Sequence, residues 1–150
     1  SAISASDFKF KVGNSNNLET WSVAPSPTDV TVVPGAGVDG SARVEIVWAD
    51  GAIQKQWLRI EVLANANTGL QAPDIFYYGN AIGETGNSAT DAIVNATDQV
   101  LARANSSSFR QVEVTNRYDF NKDGLVNITD VLVSRANPSG FTPLKLITAP

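Results

Sequence analysis

Asp119-Phe120-Asn121-Lys122-Asp123-Gly124-Leu125-Val126-Asn127-Ile128-Thr129-Asp130 is the stretch that decides how this chain is read. Oxygen-bearing side chains stand at its first, third, fifth, ninth and twelfth positions, and a glycine takes the sixth. A hard dication such as calcium takes six to eight oxygens at about 2.3–2.6 Å. Ligands spaced by two along a tightly coiled loop turn towards one centre. Gly124 permits the sharp bend, Leu125 offers its backbone carbonyl, Val126 anchors the loop to a core, and Asp130 closes the site from the first helical turn. Three carboxylates packed this closely repel one another unless a cation lies between them. We therefore expect Asp119, Asn121, Asp123, Leu125, Asn127 and Asp130 to hold Ca2+.

Working outward, the chain repeats itself. Residues 94–109 (VNATDQVLARANSSSF) and 126–141 (VNITDVLVSRANPSGF) match at 9 of 16 positions without a gap. Duplication at this period marks two copies of one supersecondary element. Asn95 and Asn127, each followed three residues later by Asp, read as helix N-caps ahead of short helices over 99–104 and 131–136. Alignment on the repeat assigns a second Ca2+ to Asn87, Asp91, Ile93, Asn95 and Asp98. That copy departs from the pattern: Ala89 takes a ligand position and Ala92 the glycine position. Tyr78-Gly79-Asn80 parallels Tyr118-Asp119, as if residues 81–89 were inserted, so Asn80, Glu84 or backbone carbonyls of that insertion would complete the ligand set of the second ion. The segment 144–147 (LKLI) reads as a final strand.

The first half has a different rhythm. Phe8, Phe10 and Val12 alternate with Lys9 and Lys11, the period of a half-buried strand. Segments 18–23 and 29–33 are further strands, cut by Pro25, Pro27 and Pro34. Val44, Ile46 and Trp48 share one face of residues 43–49. Asp50-Gly51 suits a type I′ turn, which predicts a hairpin with residues 53–63. On that return strand Leu58, Ile60 and Val62 point inward and Trp57, Arg59 and Glu61 outward; 74–78 is one more strand. The expected fold class is α+β: a small antiparallel, Ig-like β-sandwich over residues 1–78, packed against a two-repeat loop-helix calcium module over 79–150.

Composition excludes much chemistry. Apolar residues make up 43% of 150, enough for a core, and the absence of His and Cys removes Ser-His-Asp triads, thiol nucleophiles and imidazole or thiolate zinc sites. Net charge is -4, with no basic stripe to neutralise phosphates, so nucleic-acid binding is not expected. No apolar run nears the ~20 residues that span a bilayer. The opening Ser1-Ala2-Ile3-Ser4 reads as the start of a fragment of something longer. Gly35-Ala36-Gly37-Val38-Asp39-Gly40 matches a dinucleotide-binding pattern but is followed by a strand-like segment rather than the helix a pyrophosphate needs. No acid–base pair of carboxylates stands out, so the chain is not expected to be an enzyme.

DFNKDGLVNITDVLVSRAN, with NSATDAIVNATDQVLARAN before it, resembles the dockerin family, whose repeats are F-hands: an EF-hand calcium loop with its exiting helix and no entering helix. The resemblance covers about residues 79–141. It implies secretion, calcium-dependent folding and docking to a cohesin-like protein or cell surface, through Thr97 and Arg103 in one copy and Thr129 and Arg135 in the other. Recurrence of Thr and Arg in both copies implies a pseudo-twofold binding mode. Two other readings stand beside this one. The repeats would be a purely structural cap on the chain's own β module, or Trp57 would stack on carbohydrate.

Overall fold

The computed structural model describes residues 3–148, so the first two residues of the expected 1–78 span and the last two of the expected 79–150 span lie outside the described residues. It divides into two compact units. One runs as far as Ile53 and resumes over Trp57–Tyr78; the other takes Gln54–Gln56 and the chain from Gly79 onward.

The strands are β1 (Phe8–Gly13), β2 (Ser22–Val23), β3 (Asp29–Val33), β4 (Arg43–Val47), β5 (Gln56–Val62) and β6 (Asp74–Asn80). They form an antiparallel four-stranded sheet in the order β2-β1-β5-β6 and a separate two-stranded sheet of β3 and β4. β1 and β5 pair Phe8 with Val62, Phe10 with Ile60 and Val12 with Leu58, which puts the alternating apolar residues of both strands on one face. Val12, Ala24, Ile53, Leu58 and Ile60 are the buried core there, and Phe8, Phe10, Trp48 and Phe76 pack against it. Burying each such Leu or Ile contributes about 1.5–3 kcal/mol. The Trp48 indole also donates to the Pro25 carbonyl at 2.8 Å.

Three expectations about strands fail for local reasons. The β4–β5 hairpin does not form: β4 pairs with β3 and β5 with β1. A type I′ turn needs positive φ at both central residues. Here Gly51 has it (φ 73) and Asp50 does not, and Lys55 at φ 52 interrupts the chain before β5 starts. Residues 18–23 become a 3₁₀ turn over Leu18–Thr20, with the Asn17 side chain accepting from the Glu19 N–H, and the strand shrinks to the two residues of β2. Residues 144–147 contribute a single bridge, Leu144 to Ala92.

The second unit carries two helices, α1 (Ala96–Ala104) and α2 (Ile128–Ala136). Asn95 and Asn127 are their N-caps. In each, the Asn side chain accepts from the backbone two residues on, and the Asp three residues on accepts from the cap N–H, a reciprocal capping box. Each helix starts three residues earlier than the apolar pattern suggests, because the cap sets the start. The helices pack on each other. Ala102 and Ser134, equivalent in the repeat, are both fully buried. Gly83 lies so close to α2 that a Cβ there would meet Ser134 Cα at 2.6 Å.

The expected fold class is therefore corrected. Among the described residues, the regular structure is mostly strand, in two antiparallel sheets of four and two strands, with two nine-residue α-helices. The two sheets are compatible with an Ig-like sandwich, but the elements do not make the expected duplicated dockerin-like loop-helix module. The duplication holds for the helices and fails for the loops that lead into them, which have unequal lengths.

Candidate cation site

In the second loop, Asp130 is wholly buried at the start of α2. Its Oδ1 accepts from the Phe120 N–H at 2.7 Å and its Oδ2 from the Asn127 N–H at 2.9 Å, so one side chain ties the loop's entry to its exit. Asp119 is 1% exposed. Its Oδ2 accepts from the Gly124 N–H at 3.0 Å, across the bend that Gly124 makes at φ 84. Its Oδ1 is buried without a hydrogen-bond partner. Asn121 donates to Asp123 Oδ2 at 2.8 Å, and Asp123 Oδ1 accepts from the Leu125 N–H at 2.9 Å. Lys122 is turned to the Asn116 carbonyl at 2.9 Å, so the loop's own cation is engaged elsewhere.

The first loop follows the same plan in a different register. Asp98, also fully buried, takes the role of Asp130: its Oδ2 accepts from the Asn95 N–H at 2.8 Å. Its Oδ1 accepts from the Thr85 N–H at 3.0 Å, from the Thr85 hydroxyl at 2.8 Å and from the Asn87 amide at 3.2 Å. Thr85 thus stands where Phe120 stands in the second loop, and the residue before it, Glu84, stands where Asp119 does. Glu84 repeats the detail. One oxygen accepts from the Gly86 N–H at 2.7 Å and the other, Oε2, is buried without a partner. Burial pushes the Glu84 carboxyl above its usual range, the Gly86 N–H opposes this, and the charge of Asp98 adds to the rise.

Asn87, the expected first ligand, is spent on Asp98 instead. Counting twelve residues back from Asp98 lands on Asn87, whereas the structure's loop runs fifteen residues, Glu84 to Asp98. Nothing in the spacing singles out Glu84 above Asn80; the Asp98 hydrogen bonds do. Asp91 accepts from the Ser88 hydroxyl at 2.9 Å, and the Ile93 carbonyl accepts from the Asn95 amide at 3.3 Å. Asn80, Glu84 and Asp119 line one shallow cleft, flanked by Arg117 and Lys122.

Among the described residues, no three acidic side chains are already gathered at metal-binding spacing. The carboxylates are instead drawn onto backbone N–H groups, with one oxygen left over on each of the two residues that open the loops. The four expected partner-facing residues, Thr97, Arg103, Thr129 and Arg135, are all exposed. Exposed apolar residues that the sequence reading passed over accompany them: Val100 and Leu132, equivalent in the repeat, and the equivalent pair Phe109 and Phe141. Trp57 is half-buried.

No family model, no curated protein and no solved structure matches the chain. No helix among the described residues is long and apolar enough to cross a membrane.

Proposed function

We propose that this chain is a non-catalytic, calcium-binding module of a secreted protein, attaching that protein to a protein partner. The observation that carries the reading is the buried Asp119 Oδ1, which lacks any hydrogen-bond partner. A desolvated carboxylate oxygen is costly unless a donor or a cation meets it. The residues around it are the hard-oxygen set that calcium takes. Asp119, Asn121, Asp123, the Leu125 carbonyl, Asn127 and Asp130 would hold one ion. Glu84, Asp91, the Ile93 carbonyl, Asn95 and Asp98 would hold a second. Calcium supplies the positive charge that these buried carboxylates lack. The protein's part is to fix Asp130 and Asp98 at the helix starts, so that closing a loop also orients its helix.

A closing Asp, shorter than Glu, suits the ~10⁻⁴–10⁻³ M affinities of extracellular modules. Thr97, Arg103, Thr129 and Arg135 would face the partner. Two bound ions would take residues 76–150 from -1 to +3, which favours an acidic, cohesin-like or cell-surface face.

Calorimetric titration with calcium chloride is the test. The wild type should bind one or two ions. The double variant Asp119→Ala/Asp123→Ala should lose one of them and melt lower in calcium. Identical melting of the wild type with calcium and with chelator would overturn the reading.

A further inference from the structure

The valines that follow the expected carbonyl ligands, Val94 and Val126, are 3% and 0% exposed, and each is held from the opposite repeat. Val126, in the second loop, donates its N–H to Ser107 Oγ at 2.9 Å and accepts from the Ser107 N–H at 2.9 Å. Ser107 lies just beyond α1. Ser106 adds its hydroxyl to the Val126 carbonyl at 3.1 Å. Val94, in the first loop, donates its N–H to Ser139 Oγ at 2.9 Å and accepts from the Ser139 N–H at 3.1 Å. Ser139 lies just beyond α2. Ser107 and Ser139 are equivalent in the 32-residue repeat, so the clamps are two copies of one device with the partners exchanged.

A trans peptide is planar, with its C=O and N–H on opposite edges. None of the described peptide bonds is cis. Holding the Val126 N–H therefore aims the Leu125 carbonyl the opposite way, away from Ser107. Holding the Val94 N–H does the same for the Ile93 carbonyl, which already accepts from Asn95. Partners one shell out commonly set ligand orientation in this manner.

Resting on the calcium reading above, we propose that Ser107 and Ser139 are positioning residues, each orienting the carbonyl ligand of the other repeat's cation loop. Each repeat's helix exit then supports the other repeat's loop, with no ligand shared between them.

Calcium chloride titrations of the full chain, followed by ¹H–¹⁵N NMR, test this with Gly124 reporting the second loop and Gly86 the first. Ser107→Ala should weaken the Gly124 midpoint by about 10-fold and leave Gly86 unchanged. Ser139→Ala should do the reverse, and Ser107→Thr, which keeps the hydroxyl, should behave as wild type. Unchanged midpoints in both alanine variants would overturn the proposal, as would equal weakening of both loops in each. A wild type with no calcium-dependent shift at either glycine would instead overturn the calcium reading, and this proposal with it.

Discussion

The two units differ in how much polar side chain they bury. In the first, Val12, Leu58 and Ile60 make an apolar core around Phe10 and Trp48. In the second, the side chains with least exposure include Asp98, Asp119, Asp130, Thr85 and Ser134, beside a few small apolar residues such as Val126 and Ala102. Apolar burial is favourable at any ionic composition. Carboxylate burial is favourable only with donors or a cation supplied. The contrast teaches that the units should answer to different perturbations.

The largest expected effect falls on the apolar side. Ile60→Ala should cost the first unit about 2–5 kcal/mol, seen as a lower unfolding transition by calorimetry, with the calcium titration intact. Loss of calcium binding in that variant would show that the units are not separable. Chelation is the converse. Each site held at 100 times its Kd contributes about 2.7 kcal/mol. Adding chelator should thus speed hydrogen exchange at Val94 and Val126 and spare Leu58.

The comparison of the two loops can be sharpened in the same way. Glu84→Gln should remove calcium binding from the first loop in titration, while Asn87→Ala should leave it in place. The opposite outcome would restore the twelve-residue register. Asn127→Ala removes an N-cap, a loss of about 1 kcal/mol. Circular dichroism melting in chelator should show it without change to the first unit.

The smallest effect is the pH dependence that Asp7 gives the first unit. Asp7 is held by the Ser4 N–H at 2.8 Å and by the Asn65 and Asn67 amides at 3.0 and 3.1 Å. The Ser4 N–H chiefly, with the two amides, keeps its carboxyl below the ordinary 3.8 against the opposing pull of burial. A lowered acid stabilises the fold above its unfolded value and loses that contribution as pH falls through the folded one. Acid titration should therefore soften the wild type below about pH 3.8, and Asp7→Asn should flatten that dependence.

Much of this was readable from the chain alone because the decisive signals are local. N-caps at Asn95 and Asn127 depend on an Asn and an Asp three residues apart, and the alternation in Phe8–Val12 depends on a period of two. The Asp119–Asp130 motif is local as well: its spacing names the residues, and the fold then shows Asp119 and Asp130 buried. The pairing of β4 with β3 was not readable, since it turned on the φ angles of Asp50 and Lys55, which many sequences tolerate either way.

Glu84 marks the limit most clearly. Its neighbours Ala81–Ala89 follow no period, so nothing in the order of residues says which oxygen opens the first loop. That was decided where Thr85 met Asp98, thirteen residues on, and where Gly83 came to rest against α2. The serine clamps are of the same kind. Their atoms were plain in the repeat, but the exchange of partners between repeats exists only once the helices are packed. Side-chain chemistry and local spacing are properties of the chain, whereas register, partner and burial are set by contacts between segments far apart along it.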